Sequence, residues 1–303
     1  MTINDKNLAE GEGSGHPAVS APSSPLTDTH AHLGHIEQRL GPEGLENLLE
    51  TYRAAWAAAK SEKTPTARLP FIVDIGTRPG DLLPRLDRFG SLPYLRFSAG
   101  LWPGREVFAD PKACLEQLAA DLRHDSCCAL GECGLDYFHM EAERERQLAL
   151  FEAQAALAQA RNLPLIVHSR DAFQDSLGVV STLGGRIPVI LHCFSYGPRE
   201  AEAFLAAGCL LSFAGNLTYR RAEPLSEALR VAAKGKAFLV ETDSPYMNPM
   251  PGRGKASTPL DIGRTYAYAA SALGQELSEL VKAVQERSVK IFRPGIEGAE
   301  GQG

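Results

Sequence analysis

The chain has no CxxC pair, no run of lysines and arginines, and no apolar stretch near the ~20 residues needed to span a bilayer. It also lacks a GxGxxG or Walker-type loop after any early strand. Each absence excludes something. Six scattered cysteines without CxxC spacing read as reduced, mostly buried thiols, and not as a zinc cluster or a disulfide framework. A net charge of -6 and no basic run argue against a broad duplex-binding face and restrict any nucleic-acid contact to a few cations near a site. The first 25 residues contain neither a basic n-region nor an apolar h-region, so the expectation is a cytoplasmic protein without a membrane partner. No protein partner is readable.

Of the 303 residues, 44% are hydrophobic and 22% charged, enough for a substantial core. Residues 1–25 are rich in Gly, Ser, Pro and Ala and read as a disordered N-terminal tail; residues 294–303 read as a flexible C-terminal tail. Between them, over 26–293, eight short apolar runs alternate with amphipathic ones. The expected strands are 26–32, 69–76, 95–103, 128–138, 163–170, 187–195, 209–218 and 237–246. A helix is expected over 141–162, and another is expected to start at Pro198, a residue suited to a first turn. Eight strand–helix units with near-continuous apolar strands point to an α/β fold, a single-domain (β/α)8 TIM-like barrel. A doubly wound open sheet is the alternative.

Polar groups gather at the ends of these strands: His30 and His32 on the first, Glu132 on the fourth, His168 and Arg170 on the fifth, His192 on the sixth, Glu241 and Asp243 on the eighth. A barrel brings those ends to one mouth. Residues i and i+2 share a strand face, so His30 and His32 form a same-side imidazole pair. Glu132, with Gly131 and Gly134 beside it, lies in the apolar run ALGECGL, where an unpaired carboxylate costs on the order of several kcal/mol. A metal would offset that cost. One histidine at a strand end is ordinarily a core residue; two in equivalent positions, beside His30, His32 and Glu132, favour ligation. Asp243, in LVETDSPY, is either a turn residue or a carboxylate that ligates and takes a proton from water. Glu241, two residues earlier, is expected to support a ligating histidine. Four histidines and two carboxylates exceed one catalytic zinc site and suit two divalent ions sharing a carboxylate. Mixed nitrogen and oxygen donors fit Zn, Mn, Fe or Ni better than a pure-oxygen Mg site.

THAHL, GECGLDYF, IVHSRDA, ILHCFS and ETDSPY, in this order and each at an expected strand end, resemble the motif series of the TatD family of metal-dependent hydrolases. The resemblance runs from about residue 26 to 293. It implies a TIM-like barrel of the amidohydrolase superfamily with two divalent ions, Mg, Mn or Zn. His30, His32, Glu132 and Asp243 match the ligands of one ion; Glu132, His168 and His192 match those of the other. It implies a deoxyribonuclease that trims single-stranded DNA or RNA ends, with Asp243 and Glu132 as catalytic residues. The pattern departs in three places. GLWPG (100–104) stands where the family often has GxHPH, with Trp102 and Gly104 at the histidine positions. RGKASTP (253–259) has Ser257 for an asparagine, and ERSVKIF has Ser288 for another. Arg170 and Lys255 are the candidate phosphate contacts, and Trp102 a candidate base contact. His35, His124 and His139 match no ligand and are expected to face solvent or to support a ligand. Two other readings compete: an ester or amide hydrolase on the same barrel, acting on an aminoacyl ester or a lactone, and a non-catalytic scaffold.

Overall fold

The computed structural model describes residues 25–61 and 69–292. The expected tails, 1–25 and 294–303, fall outside the described residues except for Pro25. Eight strands form one parallel sheet in chain order: β1 (Asp28–Ala31), β2 (Ile72–Asp74), β3 (Leu95–Ala99), β4 (Cys127–Asp136), β5 (Leu165–Arg170), β6 (Val189–Leu191), β7 (Leu210–Phe213) and β8 (Phe238–Val240). The backbone just past β8 returns to β1: Asp243 N–H donates to His30 O and His32 N–H to Ser244 O, both at 2.9 Å. That contact brings the first and last strands together as the sides of a barrel.

Nine helices cover the described sheet: α1 (Leu33–Ser61, broken at Gly41), α2 (Leu82–Phe89), α3 (Pro111–Asp121), α4 (Arg144–Arg161), α5 (Phe173–Leu183), α6 (Pro198–Ala206), α7 (Glu223–Lys234), α8 (Ile262–Leu273) and α9 (Leu277–Ile291). α4 falls inside the expected 141–162, and α6 begins at Pro198 as its sequence requires. α3 starts on Pro111 and is capped by Asp110, whose Oδ1 accepts from Ala113 N–H at 3.0 Å.

Strand period divides the core in two. Ile72, Leu165, Val167, Val189, Leu191, Phe238 and Val240 join the large cluster packed against the helices. Their neighbours Phe71, Val73, Ile166, Ile190 and Leu239, with Phe292 from the end of α9, form a separate small cluster that fills the bore. The inward register therefore continues Ile166 to His168, Ile190 to His192, and Leu239 to Glu241 and Asp243. Most strands are shorter than their apolar runs, because the run continues into the loop that carries the site. Beyond Leu191, for example, Cys193 turns to a φ of +43° and leaves the sheet.

Candidate active site

Around Glu132 the barrel wall is unusually tight. Gly131 has a φ of +144° and Gly134 of +135°; a Cβ on either would lie 2.6 Å from Ile166 Cβ or 2.0 Å from His168 O. Glycine is thus required on both sides if the glutamate is to reach the bore while β4 pairs with β5.

Glu132 is 4% exposed, and its two oxygens face different neighbours. Oε2 stands 3.4 Å from His30 Nε2 and 3.5 Å from His32 Nε2. Those nitrogens are 3.2 Å apart and lie 3.8 and 3.5 Å from Asp243 Oδ1. Oε1 stands 2.9 Å from His168 Nδ1 and 3.0 Å from His192 Nε2, which are themselves 3.2 Å apart. Donors about 2.1 Å from one ion are about 3.0 Å apart in octahedral and about 3.4 Å apart in tetrahedral coordination. The edges His30–His32–Glu132 and Glu132–His168–His192 are close to that size, and the His30–Asp243 edge is wider at 3.8 Å. The donors present therefore fit divalent-ion binding on either side of Glu132.

The charges are mutually dependent. Burial alone would neutralise Glu132, but His192, His168 and His30 outweigh it and hold its carboxyl well below the usual range. Burial likewise opposes charge on His192, yet Glu132 and Glu241 raise it well above the ordinary imidazole value. His30 goes the other way: burial and the nearby His192 lower it. Asp243 resists burial through its bond to His32 and the surrounding imidazoles, and its pKa is lowered. Cationic charge at the centre of this group is stabilised by two ionised carboxylates.

Further carboxylates face the far nitrogens of His192 and His168. Glu241 Oε1 lies 3.5 Å from His192 Nδ1 and accepts from Cys193 N–H at 2.6 Å, the supporting position expected for it. Asp136 was not singled out in the sequence. Its Oδ2 stands 3.1 Å from His168 Nε2 and 2.8 Å from His139 Nδ1, while Oδ1 accepts from Phe138 and His139 N–H. It shares the even-numbered register of Glu132, four residues on, and that parity is the signal that could have identified it. Asp28 escaped notice as well. It is fully buried and takes Thr242 Oγ1 at 2.5 Å, joining the base of β1 to the end of β8.

A cavity of about 910 Å³ opens over the cluster. Trp102 and Arg170 line it; Lys255 is exposed on a loop outside its wall. His35 and His139 do line it. His35 is half-buried, its ring 5.0 Å from that of His32 and its Nδ1 3.3 Å from Tyr246 Oη. His124 is exposed and bonded to Ser126 N–H.

A family model described as TatD related DNase matches residues 27–293. The chain belongs to the TatD family. This TatD-family chain is 31% identical over 272 residues to an uncharacterized metal-dependent hydrolase, YcfH, of Escherichia coli K12, covering 88% of the chain and 95% of the relative. It is 30% identical over 189 residues to the 3′-5′ ssDNA/RNA exonuclease TatD of Dickeya dadantii, covering 59% of the chain and 72% of the relative. The crystal structure of YjjV, a TatD homologue from Escherichia coli K12, superposes with a TM-score of 0.74 at 25% identity, over 88% of this chain and 97% of that one. The chain is a metal-dependent hydrolase on a (β/α)8 barrel.

Proposed function

We propose that this TatD-family hydrolase is a phosphodiesterase that removes nucleotides from the ends of single-stranded DNA or RNA. The carrying observation is Glu132, which turns one oxygen to His30 and His32 and the other to His168 and His192. The name of the Dickeya relative supplies the substrate class. In this reading His30, His32, Glu132 and Asp243 hold one divalent ion, and Glu132, His168 and His192 hold the second. When bound, the two ions, Mg, Mn or Zn, supply Lewis acidity at the phosphate and lower the pKa of the attacking water.

The chain's own groups do the rest. Asp243, kept ionised by its imidazole neighbours, accepts the water's proton on a carboxylate oxygen. Glu132 fixes the spacing of the two donor sets. Arg170, half-buried at the cavity rim, offers its guanidinium to a phosphate oxygen. The catalytic unit is residues 26–293. A cytoplasmic setting suits six free thiols. Among the described residues no helix is long and apolar enough to cross a membrane.

The test pairs elemental analysis with turnover. Metal-loaded protein is incubated with 5′-labelled single-stranded DNA and with a panel of p-nitrophenyl esters and phosphodiesters. Stepwise loss from the 3′ end, abolished by EDTA and by Asp243→Asn, is the expected result. Turnover of carboxylic esters alone would sink the nuclease reading in favour of an esterase. Fewer than one ion per chain after purification with divalent supplements would sink the two-ion arrangement.

A further inference from the structure

One side of the cavity is built unlike the rest. Past β3 the chain turns tightly, with Gly104 N–H on Trp102 O at 2.7 Å, and the Trp102 backbone is tied to Thr77 O at 3.0 Å. The indole is located by packing. A Cβ at Gly104 would come within 3.1 Å of Cε3 and 3.3 Å of Cζ3, so the benzo ring fills the space that a side chain at position 104 would occupy. The ring centroid stands 6.0 Å from that of His168 and 6.4 Å from that of His139, with the planes 72° and 65° apart. Trp102 is half-buried and faces the cavity directly beside the metal-ligand candidate His168.

The charges around it are mixed in sign. Glu106 is engaged by Arg78 at 3.0 Å, and Glu141 accepts from the Arg105 backbone at 3.0 Å. The Arg170 guanidinium lies 4.0 Å over the Phe138 ring. Glu106 and Glu141 stand among Arg78, Arg105 and Arg170 on this wall, so its charges largely offset one another. A flat, uncharged group meets an indole face at no electrostatic cost.

We propose that Trp102 is a specificity determinant which stacks on the unpaired nucleobase of the terminal nucleotide, and that Gly104 is the vacancy that lets the indole stand there. This rests on the nuclease reading of the same site. The enzyme then measures a base, of any identity, next to the bond it cuts, because every base offers a π-face. It discriminates a nucleotide end from a bare sugar-phosphate end, and an unpaired base from one stacked in a duplex.

Two arms test it. The chain has two tryptophans, and Trp56 is tied to Pro70 O by its Nε1–H at 3.0 Å and is not part of the cavity wall. In full-length Trp56→Phe protein, emission from Trp102 is followed during titration with deoxyadenosine monophosphate and with deoxyribose 5-phosphate. Quenching by the nucleotide and none by the sugar phosphate is expected; equal response, or no response to either, overturns the stack. In the second arm the metal-loaded enzyme degrades 5′-labelled single strands ending in a normal or an abasic 3′ residue. The abasic end should raise KM about tenfold with kcat nearly kept. Trp102→Ala should raise KM about as much on the normal end and add nothing on the abasic end, and Trp102→Phe should recover most of the loss. A fall in kcat shared equally by both ends, with KM unchanged, overturns the role. Nucleotide-specific quenching in a protein that cleaves no oligonucleotide upholds the stacking site and overturns the exonuclease reading instead.

Discussion

Two layers of the same bore carry opposite chemistry. The lower layer is Ile166, Ile190 and Leu239, closed beneath by Phe292. The upper layer, two residues further along the same strands, is His168, His192 and Glu241. Both face inward, and every member but the half-buried His168 is buried. The lower layer releases free energy on leaving water; the upper one pays for its desolvation with mutual charge pairing. The barrel thus separates stability from function by depth along each strand, and a step of one side-chain period crosses the boundary.

Four substitutions and one addition put that separation under strain. The largest effect belongs to Glu132→Gln, which deprives four imidazoles of their shared carboxylate; turnover should fall at least about 1000-fold, with bound metal lost by elemental analysis. Retained metal stoichiometry would show that Glu132 is not the shared group. Ile166→Ala, two residues below His168, should cost about 2–5 kcal/mol in urea unfolding, while metal content per folded molecule stays constant. If metal content dropped in step with stability, the layers would be coupled and the comparison would fail. Adding a divalent ion at 100 times its Kd should stabilise the wild type by about 2.7 kcal/mol, visible as a higher Tm, and should leave Glu132→Gln unmoved.

Smaller effects sharpen the boundary. Asp136→Asn keeps the shape but removes the carboxylate that faces His168 Nε2; metal affinity by competition titration should weaken about 10- to 100-fold. An unchanged affinity would mean that packing alone orients His168. Asp110→Ala removes the cap of α3, outside both layers, and should cost about 1 kcal/mol with activity untouched.

Much of this was legible in one dimension. All eight strands were, because a parallel strand covered on both faces must be apolar throughout. Their ends were not. The apolar run 187–195 yields a strand of Val189–Leu191, since His192 and Cys193 leave the sheet to build the site. Glu132 stood out because an apolar run with a carboxylate needs a partner. Asp136 is the last residue of β4, where an aspartate is unremarkable; its parity with Glu132 is a weak signal until its contact with His168 gives it meaning. His139 is exposed and shares Asp136 with His168, in keeping with the expected supporting role, while the place of His35 in the cavity wall depends on loops folding over the mouth, which nothing along the chain tells.

The sequence by itself determined the layering: near-continuous apolar strands, helical spacing between them, and donor residues at the strand ends. Those are local rules, fixed by side-chain direction and by the cost of leaving polar groups unpaired. The tertiary structure decided which atoms meet. That Glu132 divides its oxygens between two histidine pairs and that Asp136 backs His168 depend on the register between separate strands, and the place of the indole over Gly104 depends on a turn tied to Thr77. Distances of about 3 Å between such remote groups follow from packing the whole barrel, and no short stretch of chain encodes them.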